Sequence, residues 1–281
     1  MNKVDLHIHS NHSDGSASVD AILELVKQYK LCAFSICDHD TFAAYEECTG
    51  KDIYGQLIKG IEVSCVDSLS NQSVHILGYV PFHPTRHIDA LCAPTLALVE
   101  QRSLWQIHQL QAHGYDICEA EVRNYVQHGQ VIYKQHILQV LIQKGYCKEI
   151  YGSLYQNLFK HQGICQKDIT YPSVAEGIAA IHADGGIAIL AHPFNSKVEQ
   201  ELLRYMELGV DGIEVYHSSH TEEQIRQLHA FVQRYQLLET GGSDFHGIYG
   251  QEPMLGEVQS TWCNEEMCVC KMKYWKAQYR L

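Results

Sequence analysis

The strongest constraint on this chain is a rhythm. Short apolar runs of strand length alternate with segments of helical spacing, and most of the runs carry or lead into a histidine or an acid. Val4–Ile8 contains His7 and precedes His9, and Ala33–Cys37 runs into Asp38, His39 and Asp40. Leu57–Val66 contains Glu62, and His75–Val80 opens on His75. Gly186–Ala191 precedes His192, Gly212–Val215 forms another such run, and Leu238–Gly241 leads to Asp244 and His246. Between them, Val19–Tyr29 places apolar side chains at 19, 22, 23, 25, 26 and 29, a helical spacing. Ser173–Ala183, Glu199–Glu207 and Glu222–Tyr235 also read as helices. Repeated β-then-α units predict an α/β fold with a mainly parallel sheet. In such folds the carboxyl ends of the strands collect functional residues on one face.

The middle of the chain breaks the rhythm. From Pro81 to Tyr171 the pattern is helical and poor in strands, with candidate helices near 88–112, 118–127, 134–144 and 149–160. This predicts a β/α body over 1–80 and 172–260, a helical insertion over 81–171 and a short polar appendage over 261–281. Cys263, Cys268 and Cys270 in the appendage lack a fourth ligand and the spacing of a structural zinc site. The opening MNKVDLHIHS has no signal-peptide core, and no run of about 18 apolar residues is long enough to span a membrane. A cytoplasmic protein is therefore expected. The formal net charge of −12 argues against binding of long duplex nucleic acid, which needs a basic stripe.

Eighteen histidines are present, and their positions carry the information. His7 and His9 stand two residues apart on a strand, so both face one side. Glu62 lies within an apolar strand, where a carboxylate is costly unless paired or bound to metal. His7, His9, His39, His75, His192 and His246 converge on strand ends with Asp14, Glu62 and Asp244. Imidazole and carboxylate together suit zinc, manganese or iron. Neither a G-x-S-x-G nucleophile elbow nor a G-x-x-x-x-G-K-[ST] phosphate loop occurs.

The segments VDLHIHSNHSDGS, ICDHDT, KGIEVS, VHILGY, AILAHP, GIEVY and GSDFHG, in this order, resemble the PHP (polymerase and histidinol phosphatase) superfamily. Within it the chain is similar to the nucleoside 3′,5′-bisphosphate phosphatase branch, whose members remove the 3′-phosphate of small nucleotides. Some of them also degrade short RNA from the 5′ end. The resemblance implies a distorted (β/α)7 barrel with a helical insertion. It also implies a metal-dependent phosphoesterase acting on small phosphorylated molecules, with short RNA a further substrate. Two or three divalent ions are implied, manganese first and zinc or iron as alternatives. His7, His9, Glu62 and Asp244 would hold the first ion. Glu62 would bridge to a second, held also by His75 and His192. Asp14, His39 and His246 would hold a third. The expected nucleophile is a hydroxide bridging metals near Glu62 and Asp244, and no general acid is evident.

On the substrate side the resemblance implies contacts from Arg102, Lys134 and His220. Gln106 and Lys134 stand where the branch usually has Arg, and Lys loses the bidentate fork. A histidinol-phosphate or sugar-phosphate phosphatase is the alternative enzyme, and a non-catalytic metal-bearing module the alternative of another class.

Overall fold

A computed structural model describes residues 3–127, 129–250 and 254–258. In chain order the elements are β1 (Lys3–Ile8), α1 (Val19–Tyr29), β2 (Leu31–Ile36), α2 (Ala44–Cys48), β3 (Gln56–Leu57), β4 (Gly60–Val66) and β5 (Ser73–Tyr79). Four helices follow: α3 (Arg86–Ala112), α4 (Glu119–Arg123), α5 (Lys134–Gln143) and α6 (Ser153–Phe159). The chain then continues through α7 (Val174–Ala183), β6 (Ile187–Leu190), α8 (Leu202–Leu208), β7 (Gly212–His217), α9 (Glu222–Tyr235) and β8 (Leu238–Gly242). The appendage with its three cysteines lies outside the described residues.

Three of the helices begin where the sequence offers a side-chain cap. The Ser18 side chain accepts from the Ala21 N–H, and Ser173 with Glu176 and Thr221 with Gln224 form reciprocal capping pairs. The apolar stripe of α1 buries Val19, Ile22 and Val26 against Leu31, Phe34 and Ile36. Each such aliphatic side chain contributes about 1.5–3 kcal/mol by leaving water.

Strands β1, β2 and β3 form one parallel sheet, and β4-β5-β6-β7-β8 form a second. Single-residue bridges from Ile8 to Phe245 and from His39 to Glu62 link the two. At Gly242, β8 passes so close to β1 that a Cβ would meet the backbone of His7.

The expectation of a mainly parallel sheet needs one correction: β5 runs antiparallel to both its neighbours, β4 and β6. The β4–β5 connection is a short turn closed by Asp67, which is too brief for a parallel crossover. The reversal has a functional consequence. It brings the start of β5, where His75 sits, to the same edge as His192 just past the end of β6. The expected single strand over 57–66 is also broken. Leu57 pairs with Phe34 on β2, whereas Gly60 pairs with Tyr79 on β5, so the chain changes sheet between them.

Residues 81–171 contain α3 to α6 and, among the described residues, no strand. Their apolar faces meet in a core of their own, with Ile107, Leu110, Ile137, Leu141 and Leu158. Helix α3 spans 27 residues, about 40 Å at 1.5 Å per residue. Its first turns bury Ile88 and Cys92 in the β/α core, and its last turns bury Ile107 and Leu110 in the helical one. Arg102 and Gln106 lie on the later half of this helix.

Candidate metal centre

The nine expected donors form one continuous cluster. His7 and His9, both fully buried, turn their Nε2 atoms to within 3.1 Å of each other. Glu62 Oε2 lies 3.3 Å from His7 Nε2 and 3.2 Å from His9 Nε2, and Asp244 Oδ1 lies 3.4 and 3.2 Å from the same atoms. Donors about 2.0–2.1 Å from one tetrahedral ion stand about 3.3 Å apart, the spacing seen here.

The other carboxylate oxygen of Glu62 lies 2.9 Å from His75 Nδ1 and 2.9 Å from His192 Nε2, and His39 Nδ1 is 3.3 Å from Oε2. Beyond it, Asp14 Oδ1 faces His246 Nε2 at 3.2 Å and His9 Nδ1 at 3.5 Å, while Asp14 Oδ2 is 3.8 Å from His39 Nε2. The rings of His9 and His39 each stand between two donor groups. A neutral imidazole has one lone pair, so each ring serves one group.

Local contacts hold these donors in place. Asp38 accepts from Ser10 N–H (2.8 Å), Ser10 Oγ (2.6 Å) and Ser13 Oγ (2.6 Å), and so pins the loop carrying Asp14. Gly15 ends that loop, where a Cβ would lie 2.5 Å from the His9 carbonyl oxygen. Asp5 accepts from Ser243 N–H (2.9 Å) and Gly256 N–H (2.8 Å) next to Asp244. The Asp40 carboxylate takes the Ser64 N–H at 2.9 Å. His246 Nδ1–H donates to the Asp244 carbonyl at 2.8 Å, which leaves the Nε2 lone pair facing Asp14.

The electrostatics call for cations. Burial acts to raise the Glu62, Asp14 and Asp244 carboxyls, yet the surrounding imidazoles outweigh it and hold all three well below the usual carboxylate range. Burial likewise acts to lower His9, but Asp244 and Glu62 outweigh it and push the ring up to about 10. Burial pushes His39 down to about 3, so this ring is neutral. The buried Asp14 Oδ1 and His39 Nδ1 have no hydrogen-bond partner among the described residues. Ionised carboxylates, facing imidazole nitrogens and orphaned donor atoms fit a group of divalent cations, whose binding displaces the protons held by the imidazoles.

A cavity of about 310 Å³ opens beside the cluster. Asp14, His39 and His75 line it from the β/α body, and Arg102, Lys134, Lys160 and Lys167 from the helical segment. Arg102 donates to Tyr171 Oη at 3.1 Å, while the Lys134 and Lys160 ammonium groups lie 5.9 and 6.0 Å from the Tyr155 ring centre. Among the described residues none of these three cations has a carboxylate within ion-pair distance. Gln106, in the usual place of an Arg, donates to the Cys165 carbonyl at 2.8 Å and ties α3 to the 160–168 segment.

His220, expected on the substrate side, is not among the residues that line this cavity. Its Nδ1–H donates to the Val215 carbonyl at 2.9 Å, and its ring packs against Phe194 and His217. Burial lowers its pKa to about 4, so it carries no proton for a leaving group at neutral pH.

Three side chains in contact with the cluster escaped the sequence reading. Gln135 donates to Asp14 Oδ2 at 2.7 Å, and its own Oε1 is buried without a partner. Glu214 Oε1 accepts from His7 Nδ1 at 3.0 Å. His217 Nε2 lies 3.3 Å from Asp244 Oδ2. A carboxylate buried on an apolar strand was the available signal for Glu214, the same signal that singled out Glu62.

The model of the PHP domain matches residues 5–240. The phosphoribosyl 1,2-cyclic phosphate 1,2-diphosphodiesterase of Eggerthella lenta is 35% identical over 254 residues, covering 90% of this chain and 97% of that protein. The 3′,5′-nucleoside bisphosphate phosphatase of Chromobacterium violaceum is 24% identical over 258 residues, 88% of each chain. Among solved structures, a Bifidobacterium adolescentis protein assigned as a metal-dependent phosphoesterase superposes with a TM-score of 0.85 at 28% identity, covering 96% of both chains.

Proposed function

The chain belongs to the PHP domain family and is a metal-dependent phosphoesterase, and from that premise we propose that it hydrolyses a small phosphorylated ribose ester bearing a second phosphate. The carrying observation is the cavity, which joins the donor cluster to Arg102, Lys134 and Lys160 in one small volume. A volume of about 310 Å³ lies at the small end of ligand sites, which suits one sugar with its phosphates and not a polymer. The relative from Eggerthella lenta is named for a cyclic phosphate of phosphoribose, a substrate of this size and charge.

His7, His9, Glu62 and Asp244 would hold one ion. Glu62, His75 and His192 would hold a second, and Asp14, His39 and His246 a third. Divalent ions there, manganese first, supply Lewis-acid charge and lower the pKa of water to near neutral. The protein does the rest. Glu62 keeps its charge at any working pH and draws the two main donor groups together. Asp14, steadied by Gln135, faces the cavity where phosphoryl oxygens arrive. Arg102 and Lys134 attract the distal phosphate, and because Lys134 is a point charge the site selects anionic charge more than planar geometry. The two linked sheets are read as the distorted (β/α)7 barrel, supported by the bridges at Ile8–Phe245 and His39–Glu62. Residues 81–171 are read as its insertion domain.

A second reading keeps the nucleoside 3′,5′-bisphosphate as substrate. Tyr133, Tyr155 and Tyr171 on the cavity wall favour it, because they offer faces for a base. A hydrolysis panel on manganese-, zinc- and iron-loaded protein, following ring-opened monoester and mononucleotide as well as free phosphate, tests both. It would contain ribose 5-phosphate 1,2-cyclic phosphate, adenosine 3′,5′-bisphosphate, short RNA and histidinol phosphate. The first is expected to give the highest kcat/KM. Preference for histidinol phosphate, or hydrolysis of none of them, would sink the proposal.

A further inference from the structure

Strand β7 contributes none of the nine expected donors, yet two of its side chains reach the metal cluster. Alternation along a strand should send Glu214 and His217, three residues apart, to opposite faces. Ile213 and Val215 do face the helical layer, in the core formed with α7 and α9. The pairing of β7 with β8 slips between Glu214 and Tyr216. Such an irregularity re-aims every later side chain on its strand, and here it turns His217 to the face that Glu214 occupies.

Both residues end on ligand positions whose backbone is left-handed: φ is +25° at His192 and +54° at Asp244. Non-glycine residues hold such angles only where their surroundings fix them. Glu214 Oε2 accepts the His192 N–H at 2.9 Å, and its Oε1 accepts His7 Nδ1–H at 3.0 Å. The His7 proton is thereby placed on Nδ1, and the Nε2 lone pair faces Glu62, His9 and Asp244. The Ser219 N–H donates to His217 Nδ1 at 3.1 Å, which leaves the His217 proton on Nε2, 3.3 Å from Asp244 Oδ2.

We propose that Glu214 and His217 are a pair of positioning residues, brought to one face by the β7 irregularity, that pre-sets His7, His192 and Asp244 for metal. The inference rests on the metal-centre reading and not on the identity of the substrate. Neither residue lines the cavity, so neither is expected to touch substrate.

The test is the affinity of chelator-stripped protein for Mn²⁺, read from the free-ion electron paramagnetic resonance signal, with circular dichroism confirming the fold. Glu214→Gln keeps one of the two hydrogen bonds and is expected to weaken Mn²⁺ binding about 10–100-fold. His217→Phe keeps a ring without a donor and is expected to lose affinity similarly. His217→Gln returns an N–H near the Nε2 position and is expected to recover most of that loss. If Glu214→Gln fails to fold, the two His217 variants decide. Wild-type affinity in the variants, or equal loss in His217→Phe and His217→Gln, would overturn the pair while leaving the metal centre standing. Absence of Mn²⁺ binding by the wild type would overturn both.

Discussion

Glu62→Gln is the most demanding perturbation of this protein. One carboxylate, 1% exposed, touches five imidazoles: Oε2 faces His7, His9 and His39 at 3.2–3.3 Å, and Oε1 faces His75 and His192 at 2.9 Å. The substitution keeps size and shape and removes one negative charge. Taking away one partner of a buried charge pair costs about 3–5 kcal/mol. At about 1.4 kcal/mol per factor of ten, that is roughly a 10²- to 10³-fold or greater loss of cation affinity. The loss should fall on both groups that share Glu62 and spare the Asp14–His246 group. Calorimetric titration of chelator-stripped protein with Mn²⁺ should therefore show fewer tight ions, and turnover should vanish. Wild-type stoichiometry with affinity within threefold would refute the idea that Glu62 draws two donor groups together.

Asp14→Asn should also abolish turnover but leave the sites around Glu62 filled, as metal analysis after dialysis would reveal. Gln135→Leu removes the 2.7 Å bond to Asp14 Oδ2 and should lower kcat about tenfold or more, with a smaller change in KM. Lys134→Ala should raise KM for a substrate with two phosphates and leave kcat nearly unchanged. If Lys134→Ala affects singly phosphorylated substrates equally, Lys134 does not hold a distal phosphate. His136 is buried with its Nδ1 accepting the Tyr133 N–H, and burial lowers its pKa from 6.5 to about 4. The folded state therefore resists a proton that the unfolded chain accepts. Its contribution, a few kcal/mol in order of magnitude, is present above pH 6.5 and is lost as pH falls towards 4. Denaturant titrations of wild type and His136→Phe should show a shallower acid decline in the variant.

Alternating strand-length runs and helical spacings sufficed to predict an α/β chain with a helical middle. Capping residues at Ser18, Ser173 and Thr221 mark helix starts in the sequence because the cap is a local interaction. Most of the nine candidate donors were legible for a related reason: they sit on or close after a strand, and a charge such as Glu62 inside an apolar run announces itself, whereas Asp14 was singled out by the family resemblance. The direction of β5 was not legible, since a strand reads alike in both directions. Nor was the placement of His220, because spacing cannot say whether a ring meets a cavity or a backbone carbonyl.

What the sequence determined by itself was therefore chemical: which side chains could bind cations, and that they belong to one edge of an α/β fold. Only the tertiary structure decided their partnerships. Gln135 reaches Asp14 across 121 residues, Glu214 reaches His7 across 207, and a one-residue slip in the β7 pairing turns His217 towards Asp244. Those contacts follow from strand register and helix docking, which depend on the whole packed core and leave no trace in the spacing of neighbouring residues.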